Sequence, residues 1–229
     1  MKKICLLLVS LLFIIDFGYS QNLIISQDST NVKLKKRRPS FIEGDLGIGL
    51  PISKFKQNNP TGIGEIVIVQ GAWFFAHNIG IGANTGLSLY STTSSYTMLN
   101  SDFKYDISFI HYDIGAYFNI PLQKSFAFTG HILAGAATAQ IGSYTIYSPM
   151  SGQLKAHSSS GTNFSFLVGI GCKEIFGKHW GISFNADYFY SKISIIQTFD
   201  SDSLPDPFKM TNDYYFTSVK ISIGFCYVF

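Results

Sequence analysis

The sequence predicts an all-β chain folded as an eight-stranded antiparallel up-and-down transmembrane β-barrel, with short periplasmic turns and long extracellular loops. Three observations carry this expectation. Eight segments of the 229-residue chain alternate apolar and polar side chains with period two, as strands with one greasy face do. The links between them alternate strictly between short and long, so all tight turns fall at one end of the sheet and all long connections at the other. Only 14% of the residues are charged while 16% are aromatic; about a quarter charged is usual, so the apolar surface exceeds what one core needs.

The first residues stand apart from this pattern. "MKK", the apolar run "ICLLLVSLLFII" and the small residues Gly18 and Ser20 have the layout of a secretory leader, residues 1–20, with cleavage after Ser20. Cys5 lies inside the apolar run, so a lipid-anchored N-terminus is not expected. Residues 21–40 show no period and read as a flexible periplasmic tail. They hold "KLKKRR" at Lys33 to Arg38, five of the positive charges behind a net charge of +3. The basic character is thus one short block, read as a solvated linker, and export makes nucleic acid a poor partner.

The barrel domain spans 41–229. "FIEGDLGIGL" sets Ile42, Leu46, Ile48 and Leu50 against Glu43, Asp45 and Gly47. "EIVIVQGAWFF" is nearly continuous apolar with Gln70 and Trp73. "IGIGANTGLSLY" alternates cleanly, with Gly80, Gly82, Asn84, Gly86 and Ser88 on the small face. "FIHYDIGAYFNI" sets Ile110, Tyr112 and Ile114 against His111, Asp113 and Asn119. "FAFTGHILAGAATAQIG" sets Phe126, Phe128 and Ile132 against Thr129 and His131. "NFSFLVGIGC", "WGISFNADYFY" and the closing "SVKISIGFCYVF" complete the eight, with Asp187 and Lys220 on the polar faces. Short links "HN", "PLQKS" and "EIFGKH" read as hairpin turns. The two exported cysteines, Cys172 and Cys226, fall on opposite faces and are expected to be free.

The physics of lipid closes the argument. A sheet in hydrocarbon must close, because an open edge leaves unpaired backbone groups. Eight strands enclose room for side chains and no wide pore. The greasy faces then meet lipid. Phe225, Tyr227, Phe229, Trp73, Phe75, Phe118, Phe126, Phe128 and Trp180 are placed in an aromatic girdle at the short-turn end, and Tyr90, Tyr112, Tyr188 and Tyr190 nearer the long loops. A soluble barrel with a ligand cavity would need a polar outside that these small, Gly-rich faces do not supply.

A leader, eight alternating strands and a terminal "YVF" resemble the small outer-membrane β-barrel proteins, the class of the OmpA membrane domain and OmpX. The segment "AWFFAHNIGIGANTGLSL" is similar to a hairpin common in the outer-membrane β-barrel domain of Bacteroidota-type bacteria. The resemblance covers about 41–229. It implies a place in the cell outer membrane, with outer-membrane lipid as surroundings. It also implies that Phe225, Tyr227 and above all Phe229 form the signal read by the barrel-assembly machinery. It implies no particular activity. No peptidoglycan-binding domain follows in this sequence, so cell-wall tethering is not expected.

The polar faces collect Glu43, Asp45, Gln70, Asn84, His111, Asp113, Asn119, His131, Asp187 and Lys220, read as one paired polar network near mid-depth. Hairpin counting sets Asp187 opposite Lys220, Asp113 opposite His131 with Asn84 on its other side, and, on closure, Glu43 and Asp45 beside Lys220. His111, Asp113 and His131 could ligate a metal or act as a base, but interior packing is the more economical reading. "KAHSSSG" raises an outer-rim esterase with His157; no nucleophile turn and no orienting acid are apparent. The expectation is therefore a non-enzymatic barrel without cofactor or metal, whose long loops are available to an unknown extracellular ligand. The alternative is a lipid hydrolase carried on the barrel.

Overall fold

A computed structural model of the chain describes residues 40–58, 61–76, 78–96, 101–123, 125–148, 152–201 and 206–229. The leader, the tail to residue 39 with its basic block, and His77 lie outside the described residues. In chain order the elements are β1 (Phe41–Pro51), α1 (Ser53–Asn58), β2 (Gly64–Phe74), β3 (Ile79–Tyr96), β4 (Ser101–Pro121), β5 (Phe126–Ile141), β6 (Tyr144–Ser148), β7 (Gly152–Ala156), β8 (Ser159–Phe176), β9 (Trp180–Ser201) and β10 (Phe208–Val228).

Eight of these strands pair with their chain neighbours, antiparallel throughout, and β10 returns to β1 from Pro51↔Ser218 to Phe41↔Val228. The ring is therefore closed and has no free edge in its membrane section. Two backbone bonds clamp the seam at the very end of the chain: Phe229 N–H donates to the Ser40 carbonyl (2.9 Å) and Val228 N–H to the His179 carbonyl (2.7 Å). The terminal strand does not fray because its last donors are satisfied.

Alternation decides inside from outside. On β1, Glu43 and Asp45 are buried while Ile42 and Leu46 are exposed; on β10, Lys220 is buried while Ile221, Ile223 and Phe225 are exposed. Along β9 the outward residues from Trp180 to Tyr190 carry no charge. Ten residues of a strand tilted by about 40° rise about 25 Å, the height of an outer apolar band. Cys172 and Cys226 are free.

Three expectations need correction. The strands are longer than one membrane crossing: β9 has 22 residues and β4 and β10 have 21 each. What read as long loops is largely strand continuing past the membrane, with β6 and β7 as an added hairpin attached to β9 through Leu154↔Ser201 to Ala156↔Phe199. Polar alternation above the lipid is as compatible with pairing as with a loop, which is why composition misled. Tyr90 is not in the outer girdle. It is 2% exposed and points inward, as its even position on β3 requires. Gly49 leaves it room: a Cβ there would come within 2.1 Å of the Tyr90 hydroxyl. Finally, the first long link folds into α1 and sends Phe55 into the barrel, fully buried.

Candidate functional site

The lumen is where polar side chains converge, and β-strand parity puts them there. Glu43, Asp45, Gln70, Asn84, His111, Asp113, His131, Asp187 and Lys220 are all at most 3% exposed. They form two networks, not one.

The first network lies toward the short turns. Gln70 Nε2 donates to Glu43 Oε1 (2.9 Å) and Asp45 Oδ2 (3.0 Å), and Asn185 Nδ2 donates to the same two oxygens (2.6 and 3.3 Å). Gln70 Oε1 accepts from the Tyr117 hydroxyl (3.1 Å) and, at 3.4 Å, from Asn84 Nδ2. Ser183 Oγ donates to Asp45 Oδ1 (3.3 Å). The cation is Lys173, whose ammonium pairs with Glu43 and lies over the Phe41 ring. Hairpin counting put Lys220 in this role. Closure instead brings Lys220 opposite Gly49, and sets Glu43 opposite Cys226 and Asp45 opposite Gly224. The stagger of a closed barrel is a property of the whole ring, so local turn counting cannot give it. Lys173 was missed although its parity shows it: it shares the inward face with Ser165, Gly169 and Gly171, just beyond the segment that ended at Cys172.

The second network lies one layer higher. Lys220 Nζ donates to His111 Nε2 (2.7 Å), and His111 Nδ1–H donates to Asp113 Oδ2 (2.7 Å). An ammonium offers only donors and a carboxylate only acceptors, so a neutral Nδ1–H imidazole satisfies both neighbours. Ser165 Oγ donates to the other Asp113 oxygen. Gly86 makes the space, since a Cβ there would lie 2.4 Å from His111 Nε2. Asp187 stands opposite Lys220, and Asn84 opposite Asp113, as counted. His131 does not face Asp113. Asp113 pairs with Gly135 and His131 with Tyr117, because the turn after β4 is centred beyond "PLQ". His131 Nε2 lies 3.2 Å from Asp187 Oδ1, off the line of a hydrogen bond.

Above Lys220 the filling changes from polar to aromatic. The Lys220 ammonium sits 4.3 Å from the Phe189 ring centre. Phe189 stacks on Phe109 (5.3 Å), Phe109 on Tyr90 (5.5 Å), and Phe55 meets Tyr90 and Phe216 edge-on at 5.3 and 5.1 Å. Ile107, Ile141, Ile193 and Ile195, all fully buried, pack in the same outer half, together with buried Gln197, whose Oε1 accepts from the Tyr214 hydroxyl (3.1 Å). At the opposite end a cavity of about 310 Å³ reaches up to Lys173 between Phe41, Ile175 and Val228.

Chemically, the lumen is ill suited to turnover. Both nitrogens of His111 are engaged, Ser165 is bonded to the carboxylate and not to the imidazole, and the whole cluster is sealed. Among the described residues no group of three or more His, Cys, Asp or Glu side chains could hold a metal ion. The outer rim differs. The pairing of β7 with β9 brings His157 to Asp200, Nε2–H donating to Oδ2 at 2.5 Å, both about half exposed. An acid does orient His157, contrary to expectation; it lies 43 residues away on another strand, beyond the reach of motif reading. Phe225 and Phe229 stand on the outer face at the short-turn end, 73% and 63% exposed, with Tyr227 stacked on His179.

Neither a family model nor a curated protein matches the sequence. Solved structures do. The outer membrane protein OprG from Pseudomonas aeruginosa is 15% identical, with a TM-score of 0.53 over 83% of this chain and 95% of that one. The outer membrane protease OmpT from Escherichia coli is 10% identical, with a TM-score of 0.52 over 83% and 95%. At these identities the likeness speaks to architecture, and the chain has the fold of the outer-membrane β-barrels.

Proposed function

We propose that the protein is a non-enzymatic integral barrel of the cell outer membrane, which anchors the extended strands and the β6–β7 hairpin at the surface as a platform for a partner. The observation that carries this is the filled lumen: two buried, hydrogen-bonded polar clusters across one half, packed rings and isoleucines across the other, capped by Phe55. Above the inner-end cavity the core is filled, which suits an anchor and leaves His111 and its neighbours fully buried. The outward aromatics of the terminal strand, ending in Phe229, fit reading by the barrel-assembly machinery, and deletion of Phe229 should lower the yield of assembled barrel in cells.

The test is gel mobility of the detergent-folded mature chain, unboiled against boiled, alongside circular dichroism. A shift on boiling with β signal supports the closed membrane barrel; a water-soluble monomer without a shift sinks it. The His157–Asp200 pair favours one other reading, an outer-rim hydrolase. Ester hydrolysis by the folded barrel that disappears in His157→Ala would establish that reading in place of the anchor.

A further inference from the structure

We propose that the outer rim of the barrel binds the phosphate of an anionic lipid headgroup in the surrounding leaflet, through Lys54 and Lys192 gathered on the ring of Tyr215. The proposal rests on the membrane reading above.

Height is the first argument. Lys192 is the first charged side chain on the outward face of β9 beyond the uncharged Trp180–Tyr190 span. It stands directly opposite Tyr215 on β10, below which Val219, Ile221 and Ile223 continue the apolar band. The pair therefore sits where hydrocarbon gives way to headgroups, a level that favours amphipathic rings and cations.

Convergence is the second. Lys54 arrives from a different element, and its ammonium lies 4.5 Å from the Tyr215 ring centre, with that of Lys192 at 5.4 Å. Lys54 is not presented by a loose loop. The next residue, Phe55, is locked in the lumen between Tyr90 and Phe216. The preceding residue, Ser53, holds φ at 55°, a left-handed backbone that a non-glycine residue adopts at a cost. Burial of Phe55 inward fixes Lys54 outward over Tyr215.

Charge balance is the third. Lys192 is 2.7 Å from Asp213, which also accepts from Ser194. Among the described residues no carboxylate pairs with Lys54. Two ammonium groups against one carboxylate leave a net positive site with a phenol hydroxyl beside it, which suits a phosphate. The site faces sideways above the apolar band, so a phosphate there arrives with its acyl chains against Val219 and Ile221. That selects a lipid over a free ion.

The experiment titrates the folded full chain in neutral detergent with lipid A, a diphosphorylated glycolipid, and reads bound ratios by native mass spectrometry. Lys54→Ala and Lys192→Ala should each weaken binding about fivefold and the double variant more than tenfold. Lys155→Ala, exposed on the hairpin, should leave it unchanged. Equal loss in Lys155→Ala, or none in the other two, overturns the site as diffuse attraction or no binding. Competition by inorganic phosphate at equal concentration overturns the lipid assignment. Loss of the heat-modifiable gel shift in the unaltered chain would instead count against the membrane reading itself.

Discussion

The two halves of the lumen use the same inward strand positions and are held by different physics. Toward the short turns, Glu43, Asp45, Gln70, Lys173, Asn185, His111, Asp113 and Lys220 are charged or polar, and each is held by a partner on another strand or two residues along its own. Toward the outside, Phe55, Tyr90, Phe109, Phe189 and Phe216 fill space by shape. The polar half is intolerant of losing one member, because the partner is left as a buried uncompensated charge. The aromatic half loses contact area and gains a cavity, but no group is orphaned. The polar half thus specifies which strands meet, and the aromatic half closes the outer end.

The largest effect should come from Lys220→Met. It leaves His111 without its donor and Asp187 without the cation opposite, and should cost about 3–5 kcal/mol, measured by denaturant unfolding of the folded barrel with tryptophan fluorescence. A cost below about 1 kcal/mol would mean that the polar half is not held by charge pairing. Phe55→Ala should come next, at about 3 kcal/mol. Hydrogen exchange should rise in α1 and the outer ends of β3 and β10 while the amides around Gln70 stay protected. Equal exchange in both halves would erase the difference between them.

A charge-matched change sharpens the comparison. Lys173→Met alone should behave like Lys220→Met, whereas Glu43→Gln with Lys173→Met should recover most of the loss, to within about 1–2 kcal/mol of the unaltered chain. Additive costs in that cycle would deny the coupling. The smallest effect belongs to the exposed Lys192–Asp213 pair. The hydrogen bond from Lys192 holds the Asp213 carboxyl below its ordinary value, and Asp213 in turn raises Lys192. A depressed acid contributes stability above its ordinary range and loses it as pH falls through the lowered value. Asp213→Asn should remove this slight acid-side dependence from the unfolding midpoint, and added salt should mask it. An unchanged acid limb in Asp213→Asn would show that the pair contributes nothing.

Parity was legible in the sequence, because a strand's side chains alternate whatever the strand pairs with. Glu43, Gln70, His111, Asp187 and Lys220 could be placed inside, and Ile42, Phe225 and Trp180 outside, before any register was known. Nearest-neighbour pairing was partly legible: Asp187 with Lys220 and Asn84 with Asp113 follow from turn centres. Asp113 with His131 failed on a turn centre displaced toward β5. Lys173 slipped away because it fell between a segment and its turn.

What the sequence by itself determined is the closed, lipid-facing barrel and the inward face of most of its strands, since both follow from period two, the rhythm of links and the absence of water in lipid. What only the tertiary structure decided is which inward residues touch across the ring: Lys173 with Glu43, Lys220 with His111, Phe55 with Tyr90 and Phe216. Those contacts depend on stagger and closure of all eight strands at once, and on a loop turning back into the barrel, neither of which any single segment encodes.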